Sequence, residues 1–152
     1  MRNLLINLVG GLTGAVVLTL LHETVRRLDA DAPRLDLIGE EGVNKMLEGA
    51  GADPLKGGAL YAATLSGDLL ANGMYYSVIG QAKDDKLLLR GTVAGLAAGW
   101  GALSLTGRSG LNDDPVTRTQ KSRMLTLGYY LLGGIAAALT IKALRRTNHP
   151  FD

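Results

Sequence analysis

The sequence contains no cysteine among its 152 residues. Disulfides, thiolate nucleophiles, zinc–thiolate sites and iron–sulfur clusters are therefore excluded. Histidine is nearly absent as well, since only His22 and His149 occur, and this argues against a pair of axial haem ligands inside a membrane. We expect neither a cofactor nor a bound metal ion.

Charge is missing from four long stretches, which are residues 4–21, 57–79, 88–106 and 124–143. Together these stretches hold 80 residues, of which only Asp68, Arg90 and Lys142 are charged. A soluble helix carries charge along one face, and no such face exists in the first or third stretch. Each stretch matches the roughly 20 apolar residues that a membrane-spanning helix needs.

The pattern therefore predicts an all-α integral membrane protein. Four transmembrane helices form a compact bundle, and residues 1–152 form a single domain. The first stretch is too long for the apolar core of a signal peptide, and we interpret it as a retained helix. In the first loop, residues 22–56, a short amphipathic helix is predicted, with an apolar side formed by Leu37, Ile38, Val43, Met46 and Leu47.

Two Asp-Pro pairs predict helix starts. Asp53-Pro54 is expected to open the second span, and Asp114-Pro115 a helix that continues through the fourth span. Aspartate is a preferred N-cap residue, and proline is favoured at the first helical position.

Small residues recur at four-residue spacing inside the spans. The positions are Gly10 and Gly14 in the first span, Ala59, Ala63, Gly67 and Ala71 in the second, and Gly91, Gly95 and Gly99 in the third. Such GxxxG-type spacing forms a groove that allows close helix packing in lipid. The grooves serve packing within one bundle, or one of them docks a partner helix.

Asp68 is the most informative polar residue. It lies 11 residues from each end of the second span, or about 16 Å at the helical rise of about 1.5 Å per residue. An acid at that depth needs a partner, a wet cavity or a proton. Asn72 lies one turn further along on the same helix face. A proton-linked or binding role and a purely structural role both remain open.

His22-Glu23 stands where the first span ends. A metal site wants three or four ligands, and no further histidine or carboxylate has suitable spacing. A polar turn at the membrane interface, capped by Arg26 and Arg27, explains the pair more simply than a catalytic or metal site. No phosphate-binding loop, nucleophile elbow or nucleic-acid module is recognisable, and we expect no nucleic-acid partner.

Two segments carry a resemblance. They are Leu21-His22-Glu23 with Arg26-Arg27, Asp31-Ala32-Pro33-Arg34, Asp36 and Gly39, and Gly67-Asp68-Leu69-Leu70 with Asn72 and Tyr75-Tyr76-Ser77. In these residues the chain resembles a group of small bacterial four-helix integral membrane proteins. The resemblance implies a multi-pass protein of the bacterial cytoplasmic (inner) membrane and brings no catalytic residues with it.

Three functions are open at this point. The leading hypothesis is a non-enzymatic membrane component that packs with a partner membrane protein or with itself. The alternative is a small channel or transporter-like protein that uses mid-membrane Asp68 and Asn72. A lipid-acting enzyme using His22, Glu23 and Asp68 is the weakest. A paired Asp68 favours structure, a wet cavity favours transport, and convergence with His22 in one pocket favours catalysis.

Overall fold

A computed structural model describes residues 1–147, so His149 lies outside the described residues. Every regular element in this part of the chain is helical, as predicted. The α-helices are α1 Arg2–Leu28, α2 Leu35–Gly49, α3 Gly57–Ser77, α4 Leu87–Ser104, α5 Asp114–Thr117 and α6 Gln120–Thr147. Short 3-10 turns cover Val78–Gln81, Asp84–Lys86 and Gly107–Ser109.

Within residues 1–147, three helices are long and apolar enough to cross a membrane. They are α1, α4 with the turn before it, and α6, and the mean hydropathies of their apolar segments are 2.2, 1.2 and 1.7. Helix α3 covers the second predicted span. It is less apolar because Ser66, Asp68 and Asn72 interrupt it.

The long helices pack side by side in the spatial order α3, α1, α6, α4, each antiparallel to its neighbour. Helices α3 and α4 touch only where the short connection between them holds them together. There the Tyr75 hydroxyl of α3 donates to the Ala94 carbonyl of α4 at 2.9 Å. Towards the opposite end, which we call the α2 end, α3 and α4 diverge and leave a cleft.

Glycines bring the backbones of α4 and α6 into direct contact. A Cβ atom on Gly95 would lie 2.6 Å from the Tyr130 carbonyl oxygen, and one on Gly91 would lie 2.5 Å from that of Gly134. Gly99 packs in the same way against Leu127. These positions have no room for a side chain, so the third-span glycines serve contacts inside the bundle.

Helix α1 uses glycines against both of its neighbours. Gly10 and Gly14 face α6, where a Cβ on Gly14 would lie 2.5 Å from the Gly133 carbonyl oxygen. Gly11 faces α3, and a Cβ there would lie 2.1 Å from the Gly73 carbonyl oxygen. Gly67 differs from all of these, because nothing lies within 4 Å of the position its Cβ would take.

Polar contacts close both ends of the bundle. At the N-terminal end, Arg145 of α6 donates to the carbonyls of Gly80 and Ala82 and pairs with Asp84 at 2.7 Å. At the α2 end, the Ser122 hydroxyl of α6 donates to the Asp31 carbonyl at 2.8 Å. The first loop is thus fastened to the start of α6.

The two Asp-Pro pairs differ in outcome: the helix start predicted at Asp53-Pro54 is wrong, whereas a helix does begin at Asp114 but does not continue into the fourth span. Helix α3 begins at Gly57 because Asn44 of α2 holds the backbone of Leu55 with two hydrogen bonds, of 2.8 and 3.2 Å. The helix from Asp114 ends after one turn. The Pro115 carbonyl accepts a hydrogen bond from the Arg34 N–H at 2.9 Å, and α6 starts separately.

The contact between α4 and α6 predicts that alanine lowers the stability of the protein at one glycine of α4 and raises it at another. Gly95→Ala places a methyl group against backbone that cannot yield, and we expect a loss of about 1–3 kcal/mol of stability. Gly101→Ala is the control, because its Cβ would lie 3.8 Å from the nearest atom. There alanine adds helix propensity, up to about 1 kcal/mol. Thermal unfolding of both variants in detergent measures the difference, and equal midpoints would contradict the close packing.

Candidate functional site

The cleft at the α2 end contains a cavity of about 180 Å³. All four long helices contribute to its wall, and α2 closes it from the loop side. The polar side chains that line it, apart from the tyrosines, are Thr19, His22 and Glu23 from α1, Asp36 from α2, Thr64, Asp68 and Asn72 from α3, and Thr106 beyond α4. The structure therefore brings His22, Glu23, Asp68 and Asn72, all singled out in the sequence, into one cavity.

His22 is buried and has unused hydrogen-bonding capacity. It is 5% exposed, and its Nε2 has no hydrogen-bond partner among the described residues. The nearest charged atom to Nε2 is Asp36 Oδ1 at 3.5 Å, an ion-pair distance that is long for a hydrogen bond. Tyr129 of α6 packs edge-on against the imidazole, with 6.3 Å between ring centres. His22 is therefore held in place by packing, with its polar edge towards the cavity.

Two carboxylates beside His22 are each paired with an arginine. Glu23 accepts two hydrogen bonds from Arg26, at 3.0 and 2.8 Å. Asp36 accepts from Arg34 at 2.9 and 2.6 Å, and Arg26 Nη1 lies 3.6 Å from Asp36. The prediction of a polar turn with Arg26 missed Asp36, which joins this turn to α2. Two guanidinium groups thus match two carboxylates.

The pKa of Asp36 reflects this pairing. Burial alone would raise the pKa of its carboxyl group, but contacts with His22 and Arg34 outweigh burial. The pKa is held well below the ordinary value of 3.8. Asp36 is therefore ionised at neutral pH and attaches α2 to α1 by charge.

Asp68 is the carboxylate without a partner. No hydrogen bond or ion pair to it occurs within residues 1–147, although it lies close enough to His22 and Asp36 to interact through charge. Gly39 of α2 approaches it closely, since a Cβ there would lie 3.4 and 3.6 Å from the two carboxylate oxygens. A larger residue at position 39 would fill the space in front of this acid.

Further unpaired polar groups surround Asp68 on α3. The Thr64 hydroxyl, one turn before it, is buried and has no hydrogen-bond partner in the described part of the chain. The Asn72 amide, one turn after it, lines the same cavity. Tyr61 and Tyr130 add aromatic surface to the wall. Buried polar groups are normally satisfied, so this concentration of unpaired groups is typical of a ligand site.

The helix register sets the depth of Asp68. Gly11 of α1 lies against Gly73 and Ser77 of α3. Counting along both antiparallel helices from that contact places Asp68 level with Leu18, about one turn or 6 Å inside the level of His22. Judged against α1, Asp68 therefore lies near one end of the apolar region. The prediction that Asp68 lies at mid-span was based only on its distance from the two ends of the second span.

The sequence placed Thr64 near Asp68, but sequence reasoning missed Asp36, Tyr61 and Tyr130, because their convergence depends on how α2, α3 and α6 pack. One signal was present in the sequence: Asp36 and Gly39 lie three residues apart and share a face of α2. None of the glycines that the sequence predicted for helix packing lines the cavity. They are Gly10, Gly14, Gly67, Gly91, Gly95 and Gly99.

Comparison with protein-family models, with curated proteins and with solved structures finds no match to this chain. Within residues 1–147, no group of three or more His, Asp or Glu side chains is placed to hold a metal ion. The function proposed for the chain rests on its own residues and distances.

The pairing of Asp36 predicts how α2 is held. Asp36→Asn leaves Arg34 without its counter-charge and removes one of the two carboxylates beside Arg26, and we expect a loss on the order of 1–3 kcal/mol. Because the folded pKa is lowered, the ionised group contributes stability above pH 3.8 and loses it as pH falls through the lowered value. Hydrogen exchange of residues 35–49 should be faster in the variant at neutral pH. Asp53→Asn, at an exposed loop carboxylate, is the control, and equal exchange in both variants would refute the attachment.

Proposed function

We propose that this chain is a four-span protein of the bacterial inner membrane whose α2-end cavity binds a small organic cation at Asp68. The observation that supports this proposal is the contrast among three neighbouring acids. Glu23 and Asp36 are paired with arginines, whereas Asp68 has no partner within the described residues and faces a cavity.

Helix α3 is suited to be the fourth span. Its 21 residues extend about 31 Å at the usual rise per residue, which matches a hydrocarbon core of roughly 30 Å. Its polar residues Thr64, Asp68 and Asn72 line the cavity, whereas Leu70 and Met74 are exposed on the outside. The helix is therefore less apolar overall but still presents apolar side chains to lipid.

The charge balance favours a cation as the ligand. Arg26, Arg27 and Arg34 engage Glu23 and Asp36, and no arginine among the described residues reaches Asp68, so the negative charge of Asp68 has no local counter-charge. A carboxylate removed from water without a partner is costly, and a bound cation would remove that cost. A proton on Asp68 would serve the same purpose, so protons are expected to compete with the ligand.

The cavity wall favours an organic cation over a bare ion. Tyr61 and Tyr130 offer aromatic faces, and an ammonium group over such a ring gains about 0.5–2 kcal/mol. The Thr64 hydroxyl oxygen and the Asn72 amide oxygen can accept hydrogen bonds from its N–H groups. A volume of about 180 Å³ limits the bound group to a small one.

Catalysis is less well supported, although His22 and Asp68 do share one cavity. An acid–base enzyme of the nucleophilic kind needs a hydroxyl or thiol within hydrogen-bond reach of its base. His22 Nε2 instead faces Asp36 at 3.5 Å and makes no hydrogen bond in the described chain. The arrangement is suited to holding a charged group, and it lacks a paired nucleophile and base.

Asp68→Asn is expected to abolish binding and preserve the fold, because the amide keeps the size of the side chain but removes its charge. Calorimetric titration of the purified protein with ethylammonium should show at least a tenfold loss of affinity, or about 1.4 kcal/mol. The exposed control Asp53→Asn should bind like the wild type. Equal affinity in Asp68→Asn would refute the proposal, and so would tighter binding of sodium than of ethylammonium.

A transport role has its own test. Both forms are reconstituted in liposomes with an internal pH dye, and an ethylammonium gradient is imposed. Ethylammonium-dependent proton movement in the wild type that is lost in Asp68→Asn would make the protein a transporter. Binding without proton movement would leave it a binding protein.

Association through α3 is a second candidate function, favoured by one observation. The other small-residue faces are used inside the bundle, but Gly67 is open, and Ala59 and Ala71 beside it are exposed. This face is proposed to pack against a partner membrane protein or another copy of the chain. Gly67→Leu should then reduce chemical crosslinking between copies, or the recovery of the partner, in native membranes. Unchanged crosslinking and recovery would assign the face to lipid.

A further inference from the structure

A second cavity, of about 460 Å³, adjoins the Asp68 cavity. It is a groove on the outer surface between α1 and α3. Four side chains line both spaces: Thr19, Glu23, Tyr61 and Leu65. The two spaces therefore share part of their wall.

The groove is largely apolar, and the charged side chains Glu23 and Arg27 line it between Leu20 and Leu28. Leu20 and Leu28 line it and are 60% and 81% exposed. Arg27 also lines it, and its charge is matched by Glu23 at 3.4 Å. The α1 residues of the groove lie between the level of the Asp68 cavity and the α2 end. A chain lying in it would have one end at Asp68 and its length against leucines.

We propose that the natural ligand is an amphiphilic cation, with its ammonium group at Asp68 and its alkyl chain in the groove between α1 and α3. This inference rests on the proposed function and extends it to the substrate class. The support is the closeness of an unpaired carboxylate to a largely apolar groove that shares four lining side chains with its cavity. Such a ligand enters sideways from the bilayer, since the groove lies on the outer face of the bundle.

The experiment compares ethylammonium with octylammonium in the wild type and in groove-filling variants. Leu20 lines the groove but not the Asp68 cavity, so Leu20→Trp should block the chain and spare the ammonium site. Thr24→Trp fills the same groove from a neighbouring position and serves as a second variant. Val93→Trp adds the same side chain to an exposed position of α4 and is the control.

Each methylene that enters an apolar site contributes up to about a fourfold gain in affinity. We expect octylammonium to bind the wild type and Val93→Trp at least tenfold more tightly than ethylammonium. In Leu20→Trp and Thr24→Trp this ratio should fall towards one, with ethylammonium affinity unchanged. Circular dichroism confirms which variants are folded.

Four outcomes would overturn the inference. If the ratio is the same in all folded variants, chain length acts only through partition into the bilayer. If octyl phosphate binds in the groove and Arg27→Gln abolishes that binding, the groove belongs to an anionic lipid. If ethylammonium itself fails to bind the wild type, the proposed function fails and the inference fails with it. If the wild type binds ethylammonium but binds octylammonium no more tightly, the inference fails and the proposed function stands.

Discussion

The direct contact of helix backbones around α6 is the constraint on which the rest of the structure depends. Helix α6 has one neighbour on each side, and glycines remove the side chains at both interfaces. In lipid there is no hydrophobic force to hold helices together, so dispersion contacts between closely spaced backbones must replace it. The α1–α6–α4 layer is therefore the rigid part of the molecule, and α3 and α2 are added to it.

The cavity follows from this asymmetry. Because α3 is packed mainly against α1 and reaches α4 only near the Tyr75 contact, the two outer helices separate towards the α2 end. Helix α2 covers the opening. Its Asp36 attaches α2 to α1 by charge, and its Gly39 leaves space in front of Asp68. The site is thus located where the bundle is not closed by helix packing, and its polar groups are left without partners there.

The helices were largely predictable, but the site only in part. Long runs without charge identify α1, α3, α4 and α6, because lipid tolerates few polar groups. The rarity of polar side chains in and beside these runs also drew attention to His22 and Asp68. Asp36 and Tyr130 could not be found in this way, since a charged residue in a loop and a tyrosine in an apolar run are ordinary. Their role depends on long-range packing, which local patterns do not encode. The helix start at Asp53 was wrong and the helix from Asp114 ended early for a related reason, since hydrogen bonds with Asn44 and Arg34 occupy the backbone there.

The spatial order of the helices has a consequence for biosynthesis. The two central helices, α1 and α6, are the first and last of the long helices to leave the ribosome, whereas the outer two are made between them. Until α6 arrives, α4 has no glycine-lined partner, Arg145 cannot join the connection around Gly80, and the cavity lacks Tyr130. Helices α1 and α3 can already pack through Gly11 and Gly73 before α6 is made, whereas the packing of α4 and the wall of the cavity are completed only when α6 is added.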